Sequence, residues 1–217
     1  MVFQKILTLI NQKMKTTISL TIILFLGFYQ IFGQTDKEII KAFKTSYALE
    51  KTGSYKKGAD ELKKVYSNNS YEINLRLGWL EYNAGLYEES ATHYQKALNL
   101  KPFSEEAKFG LIYPKYAQGK WSEVINLYKK ILEINPNNTT ANYRLGLIYF
   151  GRKNYTVAAI YFDKIVNLYP FDYDSLLMLA WSDYYLGKKN QAKLLFHKVL
   201  MSNPGDKSAT EGIKLIK

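Results

Sequence analysis

From residue 71 onward, the pattern of apolar and polar positions restarts at one fixed interval. Leu77, Leu111, Leu145 and Leu179 mark that interval, and Pro102, Pro136, Pro170 and Pro204 close each one. Gly85, Gly119 and Gly187 keep the same register, with Lys153 in the remaining place. Within the stretch Tyr71 to Phe103, the pattern predicts a first helix through Leu77-Gly78, where the small residue lets a second helix approach closely. A turn follows at Gly85, because glycine takes positive φ without steric cost. Tyr87 opens the second helix, Tyr94 and Ala97 lie on its inner face at amphipathic spacing, and Pro102 ends the unit.

The same arrangement returns three times. The second unit has Gly119-Lys-Trp121, Tyr128, Ile131 and Asn135-Pro136; the third has Leu145-Gly146, Tyr155, Ala158, Phe162 and Pro170. The fourth has Leu179-Ala180, Gly187, Ala192, Phe196 and Asn203-Pro204. A helix-turn-helix unit of about 34 residues, repeated in this way, resembles the tetratricopeptide repeat family. The resemblance implies an all-α, right-handed superhelical solenoid of antiparallel helix pairs, which presents a surface rather than a catalytic pocket. Four repeats are expected at about 71–104, 105–138, 139–172 and 173–206. Residues 36–69 look like a diverged copy: Gly53-Ser-Tyr55 supplies the turn, Gly58 the small position, and Leu62 and Val65 the inner face. Residues 205–217 offer a short capping helix with Ile213 and Leu215 available to pack. That is a thin cover for the last apolar face, which would fray or meet a partner or a second copy.

Pro114 falls inside the first helix of the second unit. Its ring should clash with the carbonyl one helical turn back, at Gly110, at a cost of about 3 kcal/mol. A kink or break that widens the groove is expected there.

Residues 1–33 are unlike the rest. Lys5, Lys13 and Lys15 come without an acid, an apolar run follows from Ile18 to Phe32, and Gly33 precedes the polar Gln34-Thr35-Asp36-Lys37. Basic front, apolar middle and small exit residue read as a secretory signal peptide. An uncleaved anchor is the competing reading, although the run is shorter than the roughly 20 residues a spanning helix needs. The expected location is exported, periplasmic or otherwise in a bacterial envelope. Cleavage would remove three lysines and leave 27 basic against 19 acidic side chains, a net +8. That excess fits a soluble surface, or contact with anionic surfaces or acidic partners. The lysines are scattered, and no nucleic-acid partner is expected.

Composition narrows the chemistry. The absence of cysteine excludes disulfides, thiol catalysis and cysteine metal sites. His93 and His197 are the only histidines, neither stands near a serine or aspartate at triad-like spacing, and both read as packing or surface residues. No phosphate-cradling glycine motif occurs. The expectation is a protein without catalytic residues, cofactor or metal.

What remains is a large aromatic inventory, 19 Tyr, 11 Phe and 3 Trp. The family resemblance implies that first helices line a concave groove. Trp79, Tyr113 and Trp181 occupy a column where family members typically carry small polar residues, with Tyr82, Tyr116, Phe150, Tyr184 and Tyr185 beside it. Exposed Trp and Tyr are the residues most enriched at binding hot spots. Packing between helices is the competing use for the same side chains. The Lys and Asn clamp with which some relatives hold a peptide carboxylate is not matched, since the relevant columns hold Leu75, Trp79, Phe109 and Tyr143. The eight aromatics are therefore candidates for contact with an extended, apolar or proline-rich peptide or partner segment. Two other readings stay open: a structural subunit joined through its outer faces and C-terminal edge, and a module that binds glycan or another envelope polymer.

Overall fold

A computed structural model describes residues 36–216; the expected export signal lies outside them. Eleven helices and no strand occur among the described residues. They are α1 (36–51), α2 (Tyr55–Lys63), α3 (Tyr71–Asn83), α4 (Tyr87–Leu100), α5 (Glu105–Ala117) and α6 (Trp121–Ile134). α7 (Thr139–Gly151), α8 (Tyr155–Leu168), α9 (Tyr173–Tyr185), α10 (Lys189–Ser202) and α11 (Lys207–Leu215) follow. From α2 onward each helix packs on its sequence neighbours. α3 also meets α5, and α9 meets both α7 and α11, which makes an all-α solenoid of helix pairs.

The repeat begins with a cap. Ser70, Ser104, Asn138, Asp172 and Asp206 recur at the repeat period, and each side chain accepts the backbone N–H three positions on. This satisfies one of the helix's orphan donors and is worth about 1 kcal/mol per helix. The caps also join repeats. The Tyr71 hydroxyl lies 2.8 Å from Ser104 Oγ, Asn138 Nδ2 donates to Glu105 Oε2 at 2.8 Å, and the Tyr173 hydroxyl donates to Asp206. One turn later, Asn74, Lys108 and Asn142 reach back to carbonyls of the preceding connection. Burial among those groups pushes the Lys108 ammonium below its ordinary range.

The pairs then close on aromatic wedges. Tyr94 of α4 is clamped between Gly78 of α3 and Gly110 of α5, where an added Cβ would lie 2.7 Å and 2.1 Å from its ring. Burial pushes its phenol well above the usual range. Phe162 stands likewise against Gly146, and Phe196 against Gly212. The turns between helices carry positive φ at Gly85, Gly119 and Gly187, and Lys153 takes the same left-handed conformation at φ 59°. The break in register therefore changes the residue but not the turn.

The expected break at Pro114 is absent. α5 runs continuously through it and has 13 residues, the same length as α3, α7 and α9. Pro114 sits in the last turn, so a single hydrogen bond to Gly110 is forfeited, and Gly110 has no side chain to restrict the local adjustment. Pro114→Ala should restore that bond and stabilise the chain by about 1–2 kcal/mol, less than the roughly 3 kcal/mol propensity difference because Pro114 is packed. A lower melting temperature in the variant would contradict this.

The C-terminal end is better covered than its length suggests. Ala209 and Gly212 of α11 are buried, Gly212 lies directly on Phe196, and Ile213 and Ile216 pack beside them. Leu215, expected to pack, stays half-exposed instead. Lys207, Thr210, Glu211 and Lys214 face outward, so the terminal helix shows solvent a mostly polar side.

Candidate functional site

Three successive odd-numbered helices enclose a concave groove of about 690 Å³. α1 contributes Phe43 and Tyr47, α3 contributes Leu75, Arg76 and Trp79, and α5 contributes Phe109 and Tyr113. The Tyr94 wedge and Gly110 form part of the lining, and Tyr71, Glu72 and Glu106 complete it. Glycine at 110 matters here, since the equivalent positions in α3 and α7 carry Arg76 and Arg144. A long side chain at 110 would collide with Tyr94 and fill the groove.

One ion pair fixes the α1 wall. The buried Arg76 guanidinium donates to Glu50 Oε2 at 2.5 Å and to Ser46 Oγ at 3.3 Å, and lies 3.8 Å above the Tyr47 ring. Trp79 Nε1 donates to the other Glu50 oxygen at 2.6 Å. Burial pushes the Glu50 carboxyl up, but the bonds from Arg76 and Trp79 and the Arg76 charge outweigh it and hold it below the ordinary range. Because the folded value is depressed, this linkage stabilises the fold above the unfolded carboxylate value of about 4.5 and is lost as pH falls through the folded one. Protection of α1 amides relative to their intrinsic exchange rates should therefore fall below about pH 4.5, and Glu50→Gln should remove that acid-dependent step while leaving the rest of the profile in place.

The eight aromatic candidates separate into groups. Trp79, Tyr82 and Tyr113 form one, with centroids 6.4 Å and 5.4 Å apart; Trp79 and Tyr113 line the groove. Phe150, Trp181, Tyr184 and Tyr185 form a second near the C-terminal end, linked at 5.5 Å to 6.0 Å. Tyr155 stacks on Tyr185 within it at 4.5 Å. Tyr116 stands apart, edge-on to Trp121 at 4.9 Å. The two tryptophans are not equivalent open surfaces. Trp181 packs on Phe196 at 5.1 Å and donates to Ser208 Oγ at 2.9 Å, so it ties α9 to α11. Of the eight candidates Tyr113, Tyr116 and Tyr185 are half-exposed, as is Tyr47 of α1.

The α1 residues Phe43, Tyr47 and Glu50 were not legible as site residues, because the diverged first pair lacks the closing proline that fixes register elsewhere. Arg76 faces the adjacent helix and joins α3 to Glu50 of α1; an arginine set between Leu75 and Leu77 in an otherwise apolar stretch was the available signal. Of the histidines, His93 pairs with the buried Glu81 at 2.6 Å, which Lys63 also approaches at 3.0 Å.

Comparison with known proteins follows this geometry. Tetratricopeptide repeat models match residues 43–105, 140–172 and 174–205, and a TPR repeat model matches residues 115–151. No curated protein matches the sequence. Similar solved structures include a tetratricopeptide repeat protein from Parabacteroides merdae, 21% identical over 83% of this chain and 72% of that one, with a TM-score of 0.69. MamA is 20% identical over 76% of this chain and 92% of its own, TM-score 0.66. YrrB, a TPR protein with an unusual peptide-binding site, is 15% identical over 83% and 95%, TM-score 0.65. At these identities the likeness concerns the fold. Capped helix pairs, aromatic wedges and repeat models spanning most of residues 43–205 agree, and the chain belongs to the tetratricopeptide repeat family.

Proposed function

We propose that the protein is an exported, non-enzymatic scaffold that holds an extended peptide or partner-protein segment in the groove between α1, α3 and α5. The observation that carries this reading is the groove itself, a cleft of about 690 Å³ walled by aromatics from three repeats, with Tyr47 and Tyr113 half-exposed at its sides. Aromatic rings bind with little loss of conformational freedom, and tyrosine hydroxyls add hydrogen bonds to a passing backbone. The segment that suits such walls is apolar or proline-rich. A similarly folded protein, YrrB, has a peptide-binding site, which supports the mode of use. The envelope location rests on the basic and apolar pattern of residues 1–33.

Selection from a displayed random-peptide library tests the proposal. Enriched peptides should be aromatic- or proline-containing, and their binding should fall at least about tenfold in Tyr47→Ser/Tyr113→Ser, as loss of hot-spot residues predicts. Because both side chains are half-exposed, helix content and melting temperature should change little. Peptides that bind both forms equally would refute the groove assignment.

A further inference from the structure

The outer helices carry a second periodic feature, independent of the groove. Lys96, Lys130, Lys164 and Lys198 recur at the repeat period, one on each of α4, α6, α8 and α10. On the last two helices each lysine lies between exposed apolar side chains on the same stripe: Ile160, Lys164 and Leu168 at i, i+4 and i+8, and Leu194, Lys198 and Met201 at i, i+4 and i+7. Phe171 projects from the connection that follows α8. These are not marginal exposures, with Leu194 at 66%, Phe171 at 67% and Met201 at 72%. The positive charge of the face comes mainly from α10. α10 has Lys189, Lys193 and Lys198 and no acid, and the one acid of α8, Asp163, accepts a hydrogen bond from Asn167.

From this arrangement we infer that the outer face of α8 and α10 is a docking surface for an anionic lipid bilayer. Apolar side chains spaced singly along two successive outer helices and a loop suit shallow insertion among headgroups and acyl chains. Lysines set between them keep their stems on apolar surface while their ammonium groups reach lipid phosphates. Among the described residues no helix is long and apolar enough to cross a membrane, so the contact is peripheral. It leaves the α1, α3 and α5 groove free on another part of the solenoid.

The chain has no cysteine, which permits a position-specific test on the full-length protein. Phe171→Cys, Met201→Cys and, as a control on α4, Glu88→Cys are each labelled with a polarity-sensitive fluorophore. Each is mixed with phosphatidylcholine vesicles with or without phosphatidylglycerol. The expected result is a blue shift at 171 and 201 on the anionic vesicles, little on the neutral ones, and none at 88. Lys164→Glu/Lys198→Glu should weaken the vesicle affinity by about tenfold or more with helical circular dichroism unchanged. No shift at 171 and 201, a comparable shift at 88, or indifference to the lysine reversal would overturn the inference. So would a shift produced by lipid-free envelope protein and not by vesicles, which would assign the face to a protein partner.

Discussion

Phe162→Ala is expected to cost about 3–5 kcal/mol. Its ring is fully buried against Gly146, 5.8 Å from the Tyr143 ring, and belongs to the core shared by α7, α8, α9 and α10. Gly146 has no side chain to move into the space, so the lost ring leaves a cavity rather than a collapsed contact. A repeat array is coupled only through neighbouring interfaces. The variant should therefore lose cooperativity as well as stability, with the two ends of the solenoid unfolding in separate steps. Denaturant titration followed by circular dichroism and by tryptophan fluorescence reads both effects. Trp79 reports from one side of the lesion and Trp181 from the other. Coincident transitions with a loss below about 1 kcal/mol would show that the wedge is not the principal joint.

Arg76→Met should cost about 2–3 kcal/mol, together with loss of the groove's α1 wall. Removing one member of a buried pair strands the other's charge. Glu50 keeps water access, which places the cost below that of a fully buried pair. It also keeps the Trp79 hydrogen bond, but loses the guanidinium that balances its charge. The companion variant Glu50→Gln/Arg76→Met should recover most of the stability, since no stranded charge remains. Hydrogen exchange should show α1 opening in the single variant while α7 to α10 keep their protection. If the double variant is as unstable as the single one, the loss is one of packing rather than charge.

The sequence carried the architecture because a long repeat period survives any one irregular position. Lys153 breaks the glycine column and still turns with positive φ, and the nine-residue α2 still packs through Leu62. The caps at 104, 138, 172 and 206 went unread, although a Ser, Asn or Asp stands at the second position after each closing proline. Pro114 misled because its ring faces the carbonyl of Gly110, which has no side chain to hinder a local adjustment, and α5 continues unbroken to Ala117. The site was harder. Trp79 and Trp181 share a column, yet their roles differ through Glu50, 29 residues upstream of one, and Ser208, 27 residues downstream of the other. No local pattern records such a partner. Tyr47 was missed on two counts: the first pair lacks the closing proline that sets register, and its ring packs under Arg76 from the next repeat.

The most direct test of the groove assignment is site-specific photo-cross-linking in intact cells. A photoreactive phenylalanine is placed at Tyr47 or Tyr113 in the groove, or at Glu88 on an outer helix. The account predicts the same discrete protein adduct from both groove positions, competed away by peptides selected from the library, and none from Glu88. Adducts from Glu88 with none from Tyr47 or Tyr113 would contradict it and move the partner to the outer helices.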